Sequence, residues 1–294
     1  MPAVANMLRL GLPAGSLQEA TVELLARAGW KVRPSKRSYF PTVDDPELEP
    51  VLLRPQEMPR YVEAGQLDAA ICGRDWVVEN GAEVVEAAAL VYAKQSARPV
   101  RWVLAVPEDS EVKTVKDLAG RRIATEAVGI TRRFLEERGV DASVEFSWGT
   151  TEAKVPRFAE AIVDITETGS SLAAHSLRIV ETVFESVTVI IASRAAWADG
   201  WKRKKVETLA LMLQGAIVGG VKVGLKMNAR RSDLAAVLKC LTALRRPTVN
   251  SLADEDWVAV DTVMNESEVR EIVPALKAAG AEGIVEYPLN KVIE

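Results

Sequence analysis

The sequence predicts an α/β protein: two lobes, each a parallel or mixed sheet flanked by helices, followed by a smaller ferredoxin-like βαββαβ domain. Three observations carry this. Short apolar runs alternate with stretches of helical spacing from Leu8 onward. A second series of the same kind starts at Trp102, and the run Thr188–Ala192 is placed to return to the first sheet. Beyond Gln214 the order changes to strand, helix, two strands, helix, strand. At 294 residues the chain has room for two or three domains. The expected boundaries are 1–97 with 182–208 for the first lobe, 98–181 for the second, and 209–294 for the C-terminal domain.

Taken in order, Leu8–Leu12 alternates like a strand and ends at Pro13-Ala14-Gly15-Ser16, where Ser16 is a suitable N-cap for a helix over Gln18–Ala28. Val51–Arg54 reads as a short strand, Pro59–Gly65 as a helix stopped by its glycine, and Asp68–Cys72 as a buried strand. Trp102–Val106 opens the second lobe, followed by Val115–Leu118, Arg122–Thr125, a helix over Ile130–Arg138 and a strand at Val144–Phe146. A short helix is expected at Arg157–Ala161 and another near Ser171–Leu177. The basic run Lys202–Lys205 reads as the solvated start of a connecting helix ending near Gln214. The last domain is read as strands at Ile217–Met227, Thr248–Leu252, Trp257–Val263 and Gly283–Tyr287, with helices at Asp233–Leu244 and Glu268–Ala279.

Composition is that of an ordinary globular chain, 48% hydrophobic and 27% charged, and a net charge of −4 offers no basic field for nucleic acid. Cys72 and Cys240 sit in apolar surroundings far apart, as reduced core thiols do. No apolar run reaches membrane-spanning length and Met1–Met7 lacks the pattern of a signal peptide, so a cytoplasmic protein acting on metabolites is expected.

The chemistry concentrates in Asp164-Ile165-Thr166-Glu167-Thr168-Gly169-Ser170-Ser171-Leu172. A buried strand ends in an acid, hydroxyls surround one glycine, and a helix follows. Such a turn points backbone N–H groups and a helix start at an anion, as a phosphate cradle does. Carboxylates repel phosphate, so Asp164 and Glu167 need another partner: ribose hydroxyls, or a metal that accompanies phosphates. Other stretches can share the cleft. Gly15-Ser16 is a tight strand-to-helix turn, or only that. Ser35–Pro41 gathers Lys36, Arg37, Ser38 and Tyr39 in one loop. Arg54 can grip a phosphate bidentately or form a surface ion pair. Asp68 and Asp75 bracket a buried strand, as helix caps or ligand contacts. Glu152 follows Trp148-Gly149 in another hydroxyl-bearing turn, and Glu126 ends a strand. The lone His175 reads as a helix-surface residue. No HExxH, CxxC pair, GxSxG, GxGxxG or P-loop motif is present.

In this order the stretches resemble the long form of ATP phosphoribosyltransferases, enzymes of histidine biosynthesis. The resemblance rests on Leu10–Pro13 with Gly15–Leu17, Arg37–Pro41, Arg54–Pro59, Asp68–Gly73, Arg122–Glu126, the cradle Asp164–Leu172, and Arg246–Thr248 with Leu252–Asp254 and Trp257–Val260. It implies a core of two lobes like a periplasmic binding protein and an ACT-like regulatory domain. The reaction it implies is attack by N1 of ATP on phosphoribosyl pyrophosphate with Mg²⁺ on the pyrophosphate. Carried over, Thr168, Gly169, Ser170, Ser171 and Leu172 hold the 5′-phosphate, and Asp164 and Glu167 face the ribose or the metal, whose ligands stay unassigned. Gly15, Ser16, Arg37, Arg54 and Asp68, with Glu152, bound the ATP and pyrophosphate side, and the implied catalytic residues are Asp164, Glu152 and Arg54. Thr248 would lie in a site for L-histidine as feedback inhibitor. A homo-oligomer, hexamer or dimer, is implied. Ala14 departs from the lysine usual in relatives, Ser171 from threonine, and Lys226 from an acid found in some. Two other readings remain: a two-lobe small-molecule sensor, and a phosphoribosyltransferase with another acceptor base.

Overall fold

Two compact units, 1–26 with 30–210 and 27–29 with 211–294, divide the computed structural model of this chain, which describes residues 6–92, 99–241 and 247–293. The first unit begins β1 (Leu8–Pro13), α1 (Gln18–Ala28), β2 (Arg33–Ser35), β3 (Ser38–Thr42), β4 (Leu48–Leu53), α2 (Met58–Glu63), β5 (Ala69–Gly73), α3 (Arg74–Asn80) and β6 (Val85–Leu90). It continues with β7 (Val100–Pro107), β8 (Arg122–Thr125), α4 (Val128–Glu137), β9 (Ser143–Phe146), β10 (Ala161–Thr166), α5 (Ser170–Ala174), β11 (Leu177–Ser186) and β12 (Thr188–Ala192). After α6 (Arg194–Ala198) and α7 (Gly200–Gly219) come β13 (Lys222–Arg230), α8 (Leu234–Cys240), β14 (Thr248–Ser251), β15 (Trp257–Asn265), α9 (Glu266–Ala278) and β16 (Glu282–Pro288).

The first unit holds two five-stranded sheets, ordered β4-β1-β5-β12-β6 and β11-β7-β10-β8-β9. The chain leaves the first sheet after Leu90 and returns at Val187, between Ser186 and Thr188. This double crossing makes the two α/β lobes that the resemblance implies. Strand β12 does rejoin the first sheet, antiparallel to β5. In that sheet β1, β4 and β5 are parallel, so Pro13, Leu53 and Gly73 end at one edge, where ligands of such sheets bind. In the second sheet β10 runs parallel to β8 and antiparallel to β7. Both lobes bury continuous apolar strands, as sheets covered on both faces must: Ala69–Cys72 in the first and Trp102–Val106 and Ala161–Val163 in the second are fully shielded.

The second unit is the expected βαββαβ unit, an antiparallel sheet ordered β14-β15-β13-β16. One face packs Val223, Leu225, Met227, Val258 and Val260 with residues of α8 and α9.

Three local expectations are corrected, and one falls partly outside the described residues. The strand expected at Ile217–Met227 starts at Lys222, because α7 continues through the apolar Ile217-Val218-Gly219. Arg157–Ala161 is not helical; a 3₁₀ turn at Thr151–Lys154 precedes β10 instead. The helix after the cradle is only Ser170–Ala174, and Leu177 already begins β11, which extends the second sheet to Ser186. Residues 242–246, covering the end of the helix expected at Asp233–Leu244 and the landmark Arg246, lie outside the described residues.

Candidate active site

The cradle forms at the end of β10. Covered on both faces, Ala161–Val163 are buried, Asp164 is half-buried, and Ile165 is 45% exposed in the lining of the cleft. Gly169 then adopts φ +84°, a left-handed conformation that costs a Cβ-bearing residue strain, so the turn needs glycine here. The Gly169 N–H donates to Thr166 Oγ1 at 2.7 Å, Thr168 Oγ1 and Ser170 Oγ lie 2.9 Å apart, and Ser170 N donates to Thr168 Oγ1 at 3.4 Å. With only five helical residues behind it, the cradle relies on these hydroxyls and N–H groups more than on a helix dipole.

The acids lie together. Ser171 Oγ donates to Glu152 Oε1 at 2.9 Å, bringing the turn at Glu152 onto the cradle helix. That turn is itself pinned: Ser147 and Thr151 hydroxyls are 2.9 Å apart and Lys154 Nζ donates to Ser147 Oγ at 2.6 Å. Burial pushes Asp164 up to a pKa of about 6; repulsion from Glu152 and Glu126 adds to this, against a hydrogen bond from the Ile165 N–H. Among the described residues no group of three His, Cys, Asp or Glu has the arrangement of a metal cage.

On the facing lobe, Gly15 turns at φ +97°, and a Cβ there would meet Arg54 Nη1 at 3.2 Å, so the Gly15 turn and Arg54 meet. Ser16 lines a cavity of about 260 Å³ with Thr166 and Glu167. Next to it, a cavity of about 630 Å³ is lined by Arg54 and Trp76 from the first lobe and Glu126, Phe146 and Trp148 from the second. A cleft of this size holds a nucleotide. Arg37 is exposed in the loop of the β2–β3 hairpin.

Asp68 is a correction. It precedes β5, at the end of the sheet opposite Gly73, and its carboxylate accepts from Arg9 Nη2 at 2.8 Å and Lys202 Nζ at 2.8 Å. Burial pushes this acid up, but the Arg9 and Lys202 bonds outweigh it and hold it below its ordinary value. Its two cation partners join the start of β5 to β1 and α7, at the end of the sheet away from Gly73.

Sequence reasoning missed Glu79. Its two carboxylate oxygens accept from Gly129 N and Ile130 N, each at 2.8 Å, across the cleft between α3 and α4. The N-cap of α4 is Ala127, whose methyl group cannot accept a hydrogen bond, so the cap comes from the other lobe. Asp75 is buried between lobes, accepting from Trp102 Nε1 at 2.7 Å and Ser186 Oγ at 2.8 Å. Neither contact has a signal in sequence, because the partners are 27 or more residues away.

Comparison with known proteins decides the family. A model described as HisG, ATP phosphoribosyltransferase, matches residues 54–215, and one described as the HisG C-terminal domain matches 221–291. The chain belongs to the ATP phosphoribosyltransferase family. The ATP phosphoribosyltransferase of Chlorobium phaeovibrioides is 59% identical over 98% of both chains, and that of Thermodesulfovibrio yellowstonii is 54% identical over 98% of this chain and 99% of its own. Among solved structures, a chain of the ATP phosphoribosyl transferase (HisG:HisZ) complex from Thermotoga maritima superposes with a TM-score of 0.61 at 25% identity, covering 72% of this chain and 99% of its own. In this ATP phosphoribosyltransferase the cradle and the acids around it fall within the first matched segment. No helix of the described residues is long and apolar enough to cross a membrane.

Proposed function

We propose that this cleft transfers the phosphoribosyl group of phosphoribosyl pyrophosphate to N1 of ATP, releasing pyrophosphate and forming phosphoribosyl-ATP, the first step of L-histidine biosynthesis. The observation that carries the site assignment is the hydroxyl-lined cradle beside Asp164, a carboxyl held at about 6 with Glu152 and Glu126 close by. Thr168, Gly169, Ser170 and Ser171 hold the 5′-phosphate, with Leu172 buried beneath them as support. Asp164 and Glu167 take the ribose hydroxyls.

The bond from C1 to the pyrophosphate oxygen breaks, its electron pair leaves with pyrophosphate, and the N1 lone pair forms the new C1–N bond. Positive charge gathers on the ribose ring and negative charge on the leaving group. Ionised Asp164, seconded by Glu152, faces the first; Arg54, beside the Gly15 turn, receives the second. Ser16 and exposed Arg37 border the triphosphate. The family works with a divalent metal. Mg²⁺ fits these residues, because the carboxylate oxygens of Asp164 and Glu167 are the hard donors that would share an ion held mainly by substrate phosphates. It supplies charge neutralisation on the leaving pyrophosphate.

In the second unit, Thr248 pairs with Asp261, which pairs with Lys226, so these three share the face opposite the core. Tyr287 donates to Asp261 Oδ1 at 3.3 Å. This polar row supports the reading of Thr248 in a histidine site, with Asp261 supplying the acid that Lys226 does not.

The test is pyrophosphate release by purified protein. It is expected only when ATP, phosphoribosyl pyrophosphate and Mg²⁺ are present together, with chelation abolishing it. Release without ATP, or none with all three, overturns the reading; millimolar L-histidine slowing the reaction tests the regulatory part.

A further inference from the structure

Trp148 is 90% exposed and Phe146 50% exposed, although both line the 630 Å³ cavity of the cleft. Their rings stand 4.8 Å apart at 88°, edge to face. That geometry leaves at least one face of the indole uncovered by protein. An indole is large and costly to leave in water, and the turn that carries it is held rigid by the Ser147, Thr151 and Lys154 bonds. The same cavity is lined by Arg60, a cation of the kind a triphosphate requires, and by Glu126, whose charge reaches Asp164. It is also lined by Gln56, whose buried Oε1 has no hydrogen-bond partner among the described residues. An orphaned acceptor wants an N–H donor, and an aminopurine carries one on its exocyclic amine.

We infer that Trp148 is the platform on which the acceptor adenine stacks, and that Gln56 distinguishes its amine from a ring carbonyl. The assignment rests on the phosphoribosyl-transfer reading and adds the base-recognition residues to it. Stacking fixes the plane of the ring, so that N1 approaches C1 in line with the departing oxygen.

Steady-state kinetics with ATP and phosphoribosyl pyrophosphate varied in turn test this. A base–aromatic stack lost to alanine predicts an increase of about tenfold in the KM for ATP in Trp148→Ala, with the KM for phosphoribosyl pyrophosphate unchanged. Trp148→Phe, which keeps an aromatic face, is expected to stay within about threefold of the parent. Titration with ATP alone is expected to quench tryptophan emission in the parent more than in Trp148→Phe, where Trp76 still lines the cavity. Gln56→Leu is expected to narrow the binding difference between ATP and ITP. An unchanged KM for ATP in Trp148→Ala, or equal rises for both substrates, would overturn the inference. Absence of phosphoribosyl-ATP from the parent enzyme is a separate outcome, and it would overturn the reaction on which the inference depends.

Discussion

Ser171 and Glu152 are joined by a hydrogen bond of 2.9 Å that couples the phosphate cradle to the acid beside it. Burial raises the pKa of Asp164 and repulsion from Glu152 adds to it, so two functions converge on the Glu152 carboxylate. In Glu152→Gln that repulsion disappears, and the pKa of Asp164 is expected to fall from about 6. The acid limb of the kcat/KM profile should move to lower pH while the plateau drops by roughly tenfold or more. A limb that stays in place would separate Glu152 from Asp164.

Asp164 makes a prediction about stability with an unusual sign. An aspartate in the unfolded chain titrates near 4, whereas this one titrates at about 6 when folded. The folded state therefore binds the proton more tightly, and ionising the group costs stability progressively as pH rises from about 4 to 6. Asp164→Asn is expected to lose activity by about 100-fold or more while gaining about 1–3 kcal/mol of stability at pH 8 and none below pH 4. Thermal melts of both proteins across that range check it; a loss of stability at pH 8 would contradict the burial cost.

Gly169→Ala places a Cβ at φ +84°, about 3.6 Å from Ile179 Cδ1, so space is available and conformation is the obstacle. A strained left-handed residue costs about 1 kcal/mol or more. The turn is expected to relax away from this conformation and raise the KM for phosphoribosyl pyrophosphate several-fold, leaving that for ATP alone. Equal changes in both constants would point to general misfolding.

Asp68→Asn is expected to act on stability and not on substrate binding. The folded pKa of Asp68 lies below its ordinary value, so the group contributes stability above about pH 4 that is lost as pH falls through the lower folded pKa. At pH 7 the variant should melt earlier, by about 1–3 kcal/mol given that Arg9 and Lys202 remain partly in water, and the gap should close toward pH 3. An altered KM for ATP would return Asp68 to the cleft.

Most elements of this fold were legible because their apolar spacing is unbroken. The helix at Gln18–Ala28 and the strand at Trp102–Val106 state their period plainly. Strand β11 was not legible, because Arg178, Glu181, Thr182 and Glu185 interrupt it and two register shifts against β7 break its alternation. The apolar Ile217–Gly219 misled for the opposite reason, since a short apolar run fits helix and strand equally. At the site, the cradle could be read because all its groups lie within nine consecutive residues. Asp68 could not be placed, since a strand's sequence does not say which of its ends faces the cleft.

The cap that Glu79 provides for α4 has a consequence for how substrates find their places. The start of α4 borders the cleft through Glu126 and Val128, and its free N–H groups would attract a phosphate. Two of them already hold the protein's own carboxylate. An incoming phosphate thus meets an N-terminus already taken, and on the proposed reading it is left to the hydroxyl-bearing turn at Thr168–Ser171. A helix start filled from within the protein narrows where a polyanion can settle in this cleft.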